Sequence, residues 1–393
     1  MYRSASISFW KSLRNDSMEI KGVKHIEFLV IMVAMCLVSP VSGQETGDFA
    51  EELKLKDYRP VSVFRLEEHH PDHAKFSCID IHSHPYEEST EAIKAWAERL
   101  EANNIEKVII LTYAHGEEFD RLYDLYTGIS DRFEMWCGFD LDHFGEPGFE
   151  KDAVAELERC WKKGARGVGE LGDKGLGESY CRRADDGTRV PTAHLDDPRF
   201  DALLEKCAEL GMPVNVHIGD PIWMYEDLDE HNDGYMNAAE WKIDLSVPGI
   251  LDLYQTCTTL EKACSRHPET MFIACHFINL SHDYAYLSEV LDSHPNLYLD
   301  NAARHVETCV TPRATKRFYE KYQDRIFFGT DNTPDQDMYS LQWRILETED
   351  EHFYAESSYH WPLHGIGLDD SVLKKIYHDN YQKIVDCQKR GEK

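Results

Sequence analysis

Lys75-Phe76-Ser77-Cys78-Ile79-Asp80-Ile81-His82 is a short, β-rich apolar run that ends on a histidine, and a helical pattern follows it over residues 91–103. The same alternation continues to the end of the chain. Further strand-like runs stand at 107–112, 133–139, 166–171, 213–217, 271–276, 296–300 and 325–331, with helical stretches such as 151–163, 200–210, 250–267 and 315–322 between them. Strands alternating with longer helices are the pattern of parallel βαβ units. Eight of them close into an α/β (β/α)8 TIM barrel. Gly164, Gly211, Pro268 and Pro295 precede strands four to seven and stop the helices there. Long loops after strands four, five and eight (172–197, 219–247 and 332–369) would stand over the catalytic face. A dinucleotide-binding sheet is excluded, because Gly164-Ala165-Arg166-Gly167-Val168-Gly169 runs into a strand instead of opening a helix.

The barrel takes residues 75–393 and leaves an N-terminal extension at 44–74 and a leader at 1–43. Met18 offers a second start: Lys21 and Lys24 precede an apolar run over 28–38, and Val41-Ser42-Gly43 follow. That layout is a signal peptide, since a bilayer span takes about twenty apolar residues. Export, periplasmic or secreted, is the expectation, with no stable membrane insertion; an uncleaved leader on a cytoplasmic protein is the alternative, favoured by Glu27 beside the run. With 42 basic and 72 acidic residues the net charge is −30. Such a surface repels phosphate backbones and anionic membranes, so a small-molecule substrate is expected and nucleic acid is not. A homo-oligomer stays open. The eleven cysteines form no CxxC pair, and several lie in apolar runs where a thiol simply packs.

The chemistry gathers at the strand ends. In His82-Ser83-His84 the two imidazoles leave the first strand on one side, where they can share a metal. His217, His276 and Asp331 end strands five, six and eight, and Glu170 lies near the end of strand four. Buried groups of this kind need a cation or one another, and several histidines with a carboxylate make a nitrogen–oxygen set suited to Zn2+, one ion or two. A bound divalent ion acidifies water and polarises a carbonyl. Asp331 is placed to touch metal and water and to pass the proton to the leaving group, while His276 would hold the substrate oxygen or assist the transfer.

HxH after strand one, histidines after strands five and six, and aspartate after strand eight resemble the amidohydrolase superfamily. Tyr322-Gln323-Asp324-Arg325-Ile326-Phe327-Phe328-Gly329-Thr330-Asp331 is similar to its amidohydrolase-related branch, as is Leu373-Lys374-Lys375-Ile376-Tyr377-His378-Asp379-Asn380. The resemblance spans about residues 75–387 and implies a metal-dependent hydrolase or a non-oxidative decarboxylase, with His276 catalytic. Some relatives bridge two metals with a carbamylated lysine; strand four here offers Glu170, so one metal ligated by His82, His84, Glu170, His217 and Asp331 is expected. A bridge to a second metal, or orientation of a ligating histidine, is the alternative for Glu170.

Hydrolysis of an amide, ester or lactone is the leading expectation. The rivals are decarboxylation of an unsaturated or aromatic acid and a non-catalytic metal-binding protein. Arg304, whose planar fork suits a carboxylate, and Lys174 and Tyr86 are the candidate substrate contacts. Asp229, His231, Asp233, Gly234, Asn237 and Glu240 have calcium-loop spacing, but imidazole suits a hard cation poorly, so a turn at 232–234 is expected instead.

Overall fold

A computed structural model describes residues 52–177, 193–355 and 359–391. The leader at 1–43 and most of the loop after strand four lie outside the described residues. Among the described residues eight strands appear in order: β1 (Cys78–Ser83), β2 (Ile105–Leu111), β3 (Phe133–Trp136), β4 (Val168–Asp173), β5 (Val214–Ile218), β6 (Phe272–Ala274), β7 (Leu297–Asp300) and β8 (Ile326–Phe327). One long helix follows each: α1 (Thr90–Ala102), α2 (Gly116–Thr127), α3 (Phe149–Lys163), α4 (Asp201–Leu210), α5 (Leu253–Arg266), α6 (Tyr284–Ser293), α7 (Pro312–Lys321) and α8 (Gln336–Glu347).

All strand pairs are parallel, β1 to β3 in one run and β4 to β8 in another. Backbone bonds join the two runs at both seams. Gly169 N donates to Cys137 O at 2.9 Å between β4 and the end of β3, and Ile81 N donates to Phe328 O at 3.0 Å between β1 and the end of β8. The chain is therefore a TIM barrel.

Alternation along the strands sorts side chains into two layers. Val108 and Ile110 pack outward with the helices, whereas Ile109 and Leu111 join Ile79, Ile81, Trp136, Met271, Ile273 and Phe327 inside the barrel. The helices bury one face each: Ile93, Trp96 and Leu100 of α1 are almost fully enclosed, worth about 1.5–3 kcal/mol for each large apolar side chain. Caps begin several of them. Asp252 and Gln255 form a capping box on α5, and the Asp335 carboxylate accepts from Met338 N at the start of α8. Gly211 ends α4 at φ 64°, where a Cβ would also meet Cys387 O at 2.3 Å.

The segment after β8 opens with α8, which buries Tyr339, Leu341, Trp343, Ile345 and Leu346, so its loop proper begins only at Thr348. The loop after β5 carries the helix Tyr235–Trp241. Its calcium-like stretch is the expected turn: Asn232 donates to Trp223 O and Asp227 O, and His231 N to Asp229 Oδ1. Within the N-terminal extension, His69 is tied to Asp350, which Arg344 also holds.

Candidate metal centre

Each metal-ligating residue expected from the sequence reaches the carboxyl-terminal mouth of the barrel. His82 leaves β1 with its Nδ1 held by Asp300 Oδ2 at 2.9 Å. That fixes the ring and turns Nε2 inward, 3.8 Å from Asp331 Oδ1 and 3.9 Å from Glu170 Oε2. His84 is fixed in the same manner by Leu111 O at 2.9 Å, and its Nε2 lies 3.1 Å from Asp331 Oδ1 and 3.4 Å from Glu170 Oε2. His276 is fixed by Ala302 O at 2.7 Å, and its Nε2 lies 3.5 Å from Glu170 Oε1 and 3.7 Å from Asp331 Oδ2. His217 faces the centre with the other nitrogen. Its Nε2 sits 2.9 Å from Gly219 O, and its Nδ1 is 2.7 Å from Glu170 Oε1.

Close packing brings these groups together. Gly329 stands against His82, where a Cβ would come within 2.8 Å of the His82 Cβ, so no larger residue fits between β8 and β1 at that level. Asp300 accepts the backbone N–H of His276 and of Ala302 as well as the His82 ring, which locks the rim of β7 to those of β1 and β6. Asp80, deep in β1, accepts from Thr330 N, Thr330 Oγ1 and His82 N, and so places the turn that carries Asp331. Burial pushes the Asp80 carboxyl up to about 7 against those hydrogen bonds.

The imidazoles and carboxylates of the cluster set one another's charge. Burial works to lower the histidine pKa values, but the carboxylates outweigh it: Asp300 and Asp331 lift His82 to about 9, and Asp331 and Glu170 lift His84 to about 10. Burial works to raise Glu170 and Asp331, yet the surrounding imidazoles hold both well below the usual carboxylate range. His276 differs. Burial and the nearby Arg304 charge lower it, which leaves it neutral.

His82 Nε2 is buried and has no hydrogen-bond partner, an expensive state for an imidazole nitrogen that a metal would relieve. Two overlapping groups have the proximity a divalent ion needs: His82, His84 and Asp331, and His82, Glu170, Cys275 and His276. The donor set fits the expected metal.

The expected substrate contacts fare differently. Tyr86 donates to Asp331 Oδ1 at 3.0 Å and stands at the centre. Lys174 is paired with Asp220 at 2.8 Å, a carboxylate that also lies 3.6 Å from His217 Nε2. Arg304 turns its Nε and Nη2 onto Asn279 Oδ1 and an Nη1 onto Ala303 O, so much of its fork serves the fold. Tyr113, Cys275 and Asp300 escaped the sequence reading. Tyr113 Oη donates to Glu170 Oε2 at 2.5 Å and lies 3.1 Å from His84 Nε2, its ring stacked on that of His84. Asp300 had a signal, its place at the end of strand seven; a tyrosine just past strand two had none.

Among solved structures, a 4-oxalomesaconate hydratase from Rhodopseudomonas palustris is 15% identical, with 79% of this chain and 96% of that chain covered and a TM-score of 0.47. The IDCase of Metarhizium anisopliae is 15% identical over 77% of this chain and 80% of that one, with a TM-score of 0.45. An uncharacterised TIM-barrel protein from Bordetella bronchiseptica is 14% identical over 79% and 99%, with a TM-score of 0.46. No curated protein matches in sequence. The sequence model of the amidohydrolase family matches residues 69–385, nearly the whole barrel with its strand-end histidines and carboxylates, and the chain belongs to that family of enzymes.

Proposed function

We propose that this protein is a metal-dependent hydrolase acting on an amide, ester or lactone bond of a small molecule. The observation that carries the reading is the buried, unpartnered Nε2 of His82 facing the carboxylates of Glu170 and Asp331. His82, His84, Glu170, His217 and Asp331 would hold the cation, with zinc the best match to nitrogen-rich ligation. When bound, the cation supplies Lewis acidity, which makes a water more acidic and a substrate carbonyl more electrophilic.

The protein's own groups supply the rest. Asp331, on the open side of the centre, accepts the proton of the attacking water and returns it to the leaving group. Tyr86 Oη, already bonded to Asp331, orients that carboxylate or the substrate beside it. His276, neutral and anchored through Nδ1, presents Nε2 to the substrate oxygen. Arg304 lies close enough to lower the His276 pKa, and its fork is held by Asn279 Oδ1 and Ala303 O.

The test loads the purified protein with zinc, screens amides, esters and lactones, and runs each active substrate in 18O-labelled water. One labelled oxygen in the product supports hydrolysis. Carbon dioxide released with no labelled oxygen in the organic product overturns it.

A further inference from the structure

Cys275 is a buried thiol at the centre to which the roles above give no task. Strand alternation sends it inward. Phe272 and Ala274 pack in the outer layer with the helices, while Met271 and Ile273 lie inside the barrel, and the same alternation carried one residue past β6 puts Cys275 on the inner side. It is fully buried, and its Sγ contacts Asn215 Oδ1 at 2.9 Å, a residue two positions before His217 on β5.

We propose that Cys275 would ligate the metal of this centre through its thiolate. Its sulfur lies with one nitrogen or carboxylate oxygen of each of His82, Glu170 and His276, all within 4.8 Å of one another, and all four residues are buried. The unpartnered Nε2 of His82 points independently to a ligand in that space. On binding, the thiol proton leaves to solvent, sulfur donates to the cation, and the Asn215 contact is released. A sulfur ligand beside imidazole and carboxylate selects borderline-soft ions such as zinc, cobalt and cadmium over magnesium and manganese.

The inference rests on the metal centre proposed above, and cobalt separates the two. Metal-free protein is prepared under reducing, anaerobic conditions, titrated with Co2+, and followed by absorption. Visible d–d bands report an ion held by the protein. A near-ultraviolet sulfur-to-cobalt charge-transfer band reports thiolate ligation.

The parent is expected to show both. Cys275→Ser and Cys275→Ala should keep the d–d bands, lose the charge-transfer band and bind cobalt at least about tenfold more weakly, a loss that even outer-sphere partners can produce. Circular dichroism of both variants checks that they fold. A parent with d–d bands and no charge-transfer band, or a band that survives in both variants, overturns the role of Cys275 and leaves the metal centre standing. A parent with no cobalt bands removes both.

Discussion

At the residue scale, the centre works by giving each imidazole one anchored nitrogen and one presented nitrogen. Asp300, Leu111 O, Ala302 O and Gly219 O are the anchors, and they stand at the ends of β7, β2, β7 and β5. Removing both presented nitrogens of β1 should abolish metal retention: His82→Ala/His84→Ala is expected to carry little zinc where the parent carries about one per chain, measured by elemental analysis. Asp331→Asn keeps the shape but loses the proton acceptor, and kcat is expected to fall about 100-fold or more, with KM changed far less. Metal affinity should also depend on pH in a definite direction. The folded pKa values of His82 and His84, about 9 and about 10, lie above the ordinary value of 6.5, so the metal-free centre holds protons that the cation must displace. Affinity therefore falls as pH is lowered, by about tenfold per pH unit for each proton displaced. Zinc titrations at pH 8 and pH 6 in a non-coordinating buffer check this; equal affinities would show that no proton is released.

At the element scale, what the sequence revealed was periodicity and what it concealed was the geometry of strand ends. All eight strands stand where apolar β-rich runs predicted them, because burial on both faces demands such runs. Their ends shift for reasons that hydropathy does not carry. The run at 271–276 stops pairing at Ala274, since residues 276–279 all take positive φ to swing His276 into the mouth. The run at 325–331 keeps only Ile326–Phe327 as strand, because Thr330 and Asp331 turn to bond His82 O. His82, His84, His217, His276 and Asp331 were legible because they end apolar runs, whereas Cys275 looked like one more packed thiol. Helix docking has its own polar clamp. Glu156 of α3 accepts from Gly116 N at 2.7 Å, opening α2, and from Arg159, which also grips Asp120. Burial would raise the Glu156 carboxyl, but Arg159 and the Gly116 amide bring it down to about 2. A depressed carboxyl contributes stability above its unfolded value of 4.5 and loses it as pH falls toward 2. Glu156→Gln is expected to cost about 1–3 kcal/mol at pH 7. Urea unfolding should show that deficit shrinking through the window from 4.5 to about 2.

At the scale of the whole molecule, the centre is where the barrel closes on itself. His82 and His84 come from β1, Glu170 from β4, His217 from β5 and Asp331 from the end of β8, so one cation would tie together both parallel runs and the seam between β8 and β1. Glu170 and Asp331 are bordered by the histidines and by the hydroxyls of Tyr113 and Tyr86. Added metal should therefore act on global unfolding, not on local order alone, because it binds the folded arrangement and the ligands are scattered in the unfolded chain. At a free zinc concentration 1,000 times the Kd, the expected gain is about 4 kcal/mol. In a protein of this size that is a shift of several degrees in Tm or more. Chelation should reverse it, and His82→Ala/His84→Ala should show neither the gain nor the reversal. Scanning calorimetry of parent and variant, each with zinc and with chelator, reads all four states. A parent whose Tm is the same in zinc and in chelator would mean that the histidines and carboxylates at the mouth balance one another without a metal.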